Sequence, residues 1–411
     1  MTQYSWQRRD TDLISLFEKI SADDPAIFTE LFDATKLSRI EGPLSGALVS
    51  IKATFDVKGF HSSGGSKLLG IESADQDAKA VERLTAAGAT LVGHTNMTEL
   101  AYSGLGLNPH FGTPANPIDA LTIPGGSTSG GAVSVAKGFA DIALGTDTGG
   151  SLRIPAAFCG LTGFKPSQQS VSRIGCLPLS DSLDSVGPIA SSVQECRIAW
   201  EVLSGQTVKD IATDNIKFIV PTNFGFDGID DGIAALFNDA VTKIKQAGFD
   251  VIYEHVDLLE TYKTLPVWHF SAVESRRHYR TLFDLESDEL DPRVRSRIKK
   301  GESVTDDEFA VSVAFRNQLV SEFSQQFANS VLLMPTVAIQ APRFADLESD
   351  ADYDRINLLC LRNTSVANVF DACSISLPHK VQSVVGGVLL TMPNGNDAAL
   401  LTLAETLQSH L

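Results

Sequence analysis

The chain has 411 residues, 43% of them apolar and 20% charged, a balance that supports a sizeable core and excludes a disordered polypeptide. Fifty carboxylate side chains against 33 lysines and arginines leave a formal charge of −17. A surface that acidic repels phosphate backbones, so nucleic acid is not an expected partner. No run approaches the ~18 consecutive apolar residues of a membrane span. The polar opening MTQYSWQRRDTD lacks the apolar core of a secretory leader, so no membrane contact and a cytoplasmic location are expected. The five cysteines (Cys159, Cys176, Cys196, Cys360, Cys373) form no C-x-x-C pair and read as reduced, mostly buried thiols. The eight histidines contain no H-E-x-x-H motif, so no metal is expected.

Taken in chain order, residues 1–40 alternate charged and apolar positions (Leu13, Leu16, Phe17, Ile20, then Ile27, Leu31, Phe32). That spacing predicts two amphipathic helices on the outside of a larger body. A short apolar run at 45–52, rich in β-branched residues, predicts a buried strand ending near Lys52. DAKAVERLTAAG (77–88) has helical spacing and a natural stop at Gly88; TLVG (90–93) is a second short strand. The stretch 104–151 is rich in Gly, Ser, Thr and Asn and reads as loop, apolar helix, strand, loop, with Lys137 as the last-turn cation of the helix. Strands near 216–220, 250–253, 331–334 and 384–391 then alternate with helical runs at 232–247, 307–327 and 397–408. Alternation on this scale predicts an α/β fold in which helices cover a mixed sheet. Residues 206–330 are more charged and more helical than their flanks, and read as a subdomain or lid on a shared sheet. No internal repeat is visible.

Two loops stand out, Gly125-Gly126-Ser127-Thr128-Ser129-Gly130-Gly131 and Thr146-Asp147-Thr148-Gly149-Gly150-Ser151. Glycines let a backbone take positive φ and approach a ligand closely. Neither loop ends in the Lys-Ser/Thr of a phosphate-binding loop, and neither contains G-x-G-x-x-G. Both fail the G-x-S-x-G pattern of a hydrolase elbow at its last position. The S-x-x-K matches at Ser134–Lys137 and Ser296–Lys299 lack their companion boxes. A single Gly-Gly-Ser is most simply a structural turn. Two of them, with a lysine at the end of a buried strand, supply the groups that serine–lysine chemistry needs.

At this point the residues resemble a known family. IPGGSTSGGAVSVAKGFADIALGTDTGGSLRIPAAFCGLTGFKP (123–166) is similar to the core segment of the amidase signature family of serine amidohydrolases. GPLSGALVSIKATFDVKG (42–59) resembles the family's lysine-bearing segment. GATLVGHTNMTELA (88–101), SRIGCLPLSDSLDSVGPIASSV (172–193), LLMPTVAIQAP (332–342) and RNTSVANVFDACSISLP (362–378) match further blocks in the expected order. The resemblance implies a single amidase domain over 1–411, with a core at 42–205 and 331–411 built on a mixed sheet covered on both sides by helices. Residues 206–330 match nothing beyond a variable region and are expected to shape the substrate pocket.

The family's Ser–cis-Ser–Lys set falls here on Ser151 as nucleophile, Ser127 as bridging serine and Lys52 as base, at separations of the family's usual size. A serine hydroxyl needs a base. Lysine serves only when neutral, so its reference pKa of ~10.4 must be lowered, as burial can do. The resemblance further implies a cis Gly126–Ser127 bond and an oxyanion hole from the backbone N–H groups of Thr148, Gly149, Gly150 and Ser151. Gly126, Thr128, Ser129, Arg153 and Asp147 are candidates to touch substrate or support the residues that do. Arg153 reads either as a ligand for an anionic substrate or as a structural ion pair with Asp147. Asn96 and Glu99 read as supporting residues; Trp268, Phe270 and the cluster Glu274, Arg277, His278 read as pocket lining or core. Two departures stand out: Lys52-Ala-Thr54 where many relatives have Lys-Asp-Asn, and His94 where lysine is frequent.

The resemblance implies an amidase that hydrolyses a small linear carboxamide to a carboxylate and ammonia, with no cofactor and, as in many members, a homodimer. A glutaminase subunit of a tRNA-dependent amidotransferase and a non-catalytic scaffold of the same fold are the alternatives. The length points to a stand-alone enzyme.

Overall fold

The computed structural model describes residues 4, 6, 12–33, 38, 40–208 and 216–411. The chain opens with α1 (Leu13–Ser21), β1 (Phe28–Leu31), β2 (Leu48–Lys52), α2 (Lys79–Ala86) and β3 (Thr90–Thr95). Next come α3 (Ser129–Ala136), β4 (Ile142–Asp147), α4 (Arg153–Cys159), β5 (Thr162–Lys165), β6 (Ser185–Ala190) and α5 (Val193–Ser204). The stretch 206–330 carries β7 (Lys217–Pro221), α6 (Asp231–Gln246), β8 (Asp250–Glu254), α7 (Asp257–Lys263), α8 (Trp268–Tyr279), α9 (Pro292–Lys299) and α10 (Asp306–Gln326). The chain then finishes with β9 (Ser330–Pro335), α11 (Asp350–Val369), β10 (Cys373–Val381), β11 (Val384–Met392) and α12 (Asp397–Gln408). The strands form one 11-stranded sheet in the order β1-β3-β2-β4-β6-β5-β10-β11-β9-β7-β8. Parallel pairs (β3 with β2, β2 with β4, β9 with β7, β7 with β8) sit among antiparallel ones, so the sheet is mixed.

Side chains alternate across a strand, and here both faces are covered. Val49, Ile51, Leu144, Phe218 and Leu390 pack with α2, α5, α6 and α12. Their neighbours Leu48 and Ala143 pack with α1, α3 and α4, and Ile219 and Leu389 with α7, α8, α10 and α11. This two-sided burial explains why β2, β4, β6 and β9 are buried at every position and read as continuous apolar runs rather than alternating ones. Helix ends follow local chemistry. Ser192–Glu195 and Thr305–Glu308 form capping boxes at α5 and α10, and Gly205 closes α5 in the left-handed conformation.

The N-terminal expectation needs correcting. The second amphipathic helix is instead the strand β1, antiparallel to β3 with Glu30 opposite His94 and Leu31 opposite Gly93. Ile27, Leu31 and Phe32 fit helical spacing only over a short run. Pairing decides the conformation: the Ile27 carbonyl accepts from Asn96 N at 2.9 Å, and the Asn96 side chain donates to the Ala26 carbonyl at 2.9 Å. Among the described residues, no helix is long and apolar enough to cross a membrane.

Candidate active site

The site sits where two parallel neighbours end. Ile51 of β2 is level with Leu144 of β4, so Lys52, the last residue of β2, lies beside the end of β4. Alternation turns Lys52 away from the face of Ile51 and toward α3, α4 and α11. Its Nζ donates to Ser127 Oγ at 2.8 Å and to Thr146 Oγ1 at 2.8 Å. Lys52 and Ser127 are fully buried. Burial disfavours the ammonium and brings Lys52 down to about 8, against the pull of the Asp184 and Asp147 carboxylates. Lys52 therefore loses its proton more readily than an exposed lysine does.

Ser127 stands just before α3, and the Gly126–Ser127 peptide bond is cis. Gly126 is packed against Gly106: a Cβ there would come within 2.5 Å of Gly106 N. The Ser127 and Ser151 segments touch through Thr128 N, which donates to the Ser151 carbonyl at 3.3 Å. The Thr128 and Ser129 hydroxyls do not reach the Ser151 turn. Thr128 Oγ1 is buried with no hydrogen-bond partner among the described residues, and Ser129 Oγ donates to the Asn96 carbonyl at 3.4 Å.

The turn between β4 and α4 carries Ser151, which is 4% exposed. Asp147 anchors its root. Its Oδ2 accepts from Leu152 N at 3.0 Å and Arg153 Nε at 3.1 Å; its Oδ1 accepts from Arg153 Nη2 at 2.7 Å and Asn368 Nδ2 at 2.9 Å. Burial alone would raise Asp147, but the Arg153 guanidinium and these donors hold it at about 2. Arg153 is fully buried and also donates to Asn368 Oδ1 at 2.7 Å and the Thr364 carbonyl at 2.8 Å. These partners are all part of the framework of the turn, and Arg153 is not among the residues that line the cleft.

The tip of the turn is fixed from outside. Thr148 Oγ1 donates to Asp184 Oδ1 at 2.5 Å, and Asp184 Oδ2 accepts from Leu179 N and Ser180 N. Burial raises Asp184 to about 6 in spite of these donors. The Gly149 carbonyl accepts from Thr364 Oγ1 at 2.5 Å and Ser365 Oγ at 3.1 Å. Gly150 has φ +142°, and a Cβ there would meet Thr364 Oγ1 at 2.2 Å, so only glycine fits. The N–H groups of Thr148, Gly149, Gly150 and Ser151 donate to no other group among the described residues. Four adjacent free donors beside a serine hydroxyl are suited to receive an oxyanion.

These groups open into a cleft of about 1520 Å³. Thr148, Gly149 and Ser151 line it together with the apolar side chains of Leu179, Leu183, Phe224, Tyr262 and Leu361. Trp268 is 44% exposed and lines the cleft, whereas Phe270 is core. Glu274 accepts from Ser180 and Ser182, and Arg277 pairs with Asp306 at 2.6 Å. Glu99 is buried and accepts from Asp291 N at 2.7 Å and meets His110 Nε2 at 3.0 Å, tying the start of α9 to the core. His94, at the position where lysine is frequent, meets the Phe55 carbonyl at 3.0 Å through Nε2. Lys137 forms an ion pair with Asp23. The five cysteines are free thiols. Among the described residues, no cluster of three metal-ligating side chains occurs.

Sequence reasoning gives no role to Thr146, Asp184, Thr364, Ser365 or Asn368. All five lie inside the family-like blocks, but their partners are side chains or carbonyls remote in sequence, so no local spacing points to them. A second buried lysine, Lys165, escapes it too. Burial and the Arg153 charge lower it to about 8. Its Nζ donates to the Pro166 carbonyl and Ser185 Oγ, and it does not line the cleft.

A serine turn with unengaged backbone donors and a buried lysine–serine pair, on a two-faced α/β sheet, supply the groups that serine–lysine chemistry needs. The model of the amidase family matches residues 18–401. The 2-amino-5-chloromuconic acid deaminase of Comamonas testosteroni is 32% identical over 376 residues, 88% of this chain and 81% of that one. A glutamyl-tRNA(Gln) amidotransferase subunit of Methanococcoides burtonii is 30% identical, over 76% of this chain and 74% of its own. With the corresponding subunit of Carboxydothermus hydrogenoformans the likeness is 37% but spans only 52% of that chain. A solved amidase superposes with a TM-score of 0.88 at 29% identity, covering 98% of this chain and 96% of that one. The chain belongs to the amidase signature family, whose members hydrolyse the C–N bonds of amides.

Proposed function

We propose that the protein hydrolyses a small carboxamide to a carboxylate and ammonia through an acyl-enzyme on Ser151. The observation that carries this reading is the fully buried Lys52, lowered to about 8, with its Nζ 2.8 Å from Ser127 Oγ. Neutral Lys52 takes the Ser127 proton, and Ser127 takes that of Ser151 as its Oγ attacks the amide carbon. The tetrahedral oxyanion is received by the free N–H groups of the 148–151 turn. The same relay then protonates the departing nitrogen, the C–N bond breaks, and water attacks the acyl carbon to restore Ser151. Similarity to a protein named as a deaminase supports ammonia as the nitrogen product.

Ammonia release is measured across a panel of amides, ureas, hydrazides and glutamine, with Ser151→Ala alongside. The reading expects turnover of at least one amide, lowered by a factor on the order of 10⁴ or more in the variant. Equal turnover in both proteins contradicts it. Activity confined to glutamine in the presence of a partner protein favours a role within an amidotransferase instead.

A further inference from the structure

The charged side chains that line the cleft, most of them on α9 and α11, are five basic and three acidic (Asp291, Asp350 and Asp354), a basic excess opposite in sign to the molecule. Arg293, Arg297, Lys300, Arg355 and Arg362 line the cleft of a chain whose formal charge is −17. Three of the five are neutralised in place. Arg293 pairs with Asp350 at 2.9 Å, Arg297 with Asp354 at 3.0 Å and Arg355 with Asp352 at 3.0 Å. Lys300 is solvent-exposed.

Arg362 differs from all of these. It is half-buried, and its donors meet neutral acceptors: Nε donates to Asn363 Oδ1 at 3.0 Å, Nη2 to the Gly225 carbonyl at 2.7 Å and Nη1 to the Asp227 carbonyl. The Asp227 side chain lies on an exposed residue, and no carboxylate is within ion-pair distance of Arg362 among the described residues. A guanidinium stays charged and carries five N–H groups in a fixed fork. Three bonds to neutral oxygens hold the fork in one orientation, and the one carboxylate that attracts it, that of Asp227, does so from beyond ion-pair distance. Removing a cation from water without a counter-ion is costly, so such an arrangement suits an anion that arrives from outside. The place is also suitable. Arg362 precedes Ser365 by three residues, which puts both on one face of α11, and Ser365 binds the Gly149 carbonyl of the Ser151 turn. The two residues are thus about 4.5 Å apart along the helix axis, and Leu361, Leu179 and Leu183 also line the cleft.

We infer that the substrate is the monoamide of a dicarboxylic acid, and that Arg362 binds its free carboxylate while the amide end lies at Ser151. This inference rests on Ser151 being the nucleophile. The apolar lining receives the methylene or vinylic carbons between the two ends. Lys300 at the same cleft adds attraction for an anion approaching an otherwise acidic protein.

The test compares kcat/KM for monoamides of linear dicarboxylic acids with that for the uncharged alkyl amides of equal length, at low and high salt. Wild type is expected to favour the anion at least tenfold, chiefly through KM, and to lose part of that preference in high salt. Arg362→Gln is expected to lower kcat/KM for the anion by about 10- to 100-fold, the worth of a hydrogen bond to a charged group. The preference over the neutral amide then falls toward one, and Arg362→Lys restores part of it. Equal losses for both substrates would show that Arg362 only braces residues 225–227, and would overturn the inference. A wild-type preference for the neutral amide would overturn it without any variant, which covers the case in which Arg362→Gln fails to fold. Ser151-dependent turnover of neutral amides alone removes this inference and leaves the catalytic reading standing. Turnover that survives in Ser151→Ala removes the catalytic reading and the inference with it.

Discussion

Asp147, at the root of the Ser151 turn, has both carboxylate oxygens committed to buried donors. The carboxylates that meet α9 across the cleft, Asp350 and Asp354, are 84% and 68% exposed. Both regions border one cavity, yet they are held differently. The turn is anchored by fully buried charge and by two hydroxyls on the Gly149 carbonyl. The α9 wall is held by the carboxylate of Glu99 at its start and by solvated ion pairs along its length, with Arg293 stacked 4.0 Å from the Tyr353 ring. A catalytic constellation needs sub-ångström placement, which buried networks supply. A wall that selects substrate needs only shape and charge, which surface pairs can supply and which can change without touching the chemistry.

The comparison breaks most visibly at Arg153. Replacing it by methionine leaves the Asp147 carboxylate buried without its counter-ion, and is expected to destabilise the fold by about 3–5 kcal/mol. Denaturant unfolding checks this; a loss under about 1 kcal/mol would mean that the turn is not anchored as described. The sign with pH is fixed as well. Asp147 sits at about 2, below the ordinary carboxylate value of 3.8, so its contribution is present above 3.8 and fades as pH falls toward about 2.

A second test sharpens the catalytic side. In the proposed relay Lys52 acts only when neutral, so kcat/KM is expected to rise about tenfold per pH unit and level off above about 8. Asp184, raised to about 6, gains a proton below that pH and loses acceptor capacity for Thr148, Leu179 and Ser180, which steepens the acid limb. A profile flat from about pH 6 to 9 would contradict the role of Lys52. The smallest effect belongs to the other region. Arg297→Ala removes an ion pair to the 68%-exposed Asp354 and is expected to cost under about 1 kcal/mol of stability. A loss as large as that of Arg153→Met would erase the distinction between the two regions.

The same distinction decides what is legible in the sequence. Lys52, Ser127 and Ser151 lie in short runs whose glycines and strand pattern carry local meaning, and their blocks resemble a family. The covering of both sheet faces shows in the continuous apolar runs at β2, β4 and β9. Partners formed across long separations leave no such trace. Thr364 and Ser365 reach Gly149 from 215 and 216 residues away. Asp184 reaches Thr148 across a separation of 36 residues, and Arg362 faces carbonyls supplied by the turn after β7. β1 escapes a reading by periodicity because four residues fit two periods, and a strand edge supplied by β3 makes the choice. α8 and α9 follow no family block, so from the sequence the wall they form is only a variable region.

The most direct test of the relay is site mapping with a serine-directed fluorophosphonate. One adduct is predicted, on Ser151, absent in Ser151→Ala and formed more slowly by about 10²-fold or more in Lys52→Met. Adduct formation at another serine, or an unchanged rate in Lys52→Met, would contradict the assignment of nucleophile and base.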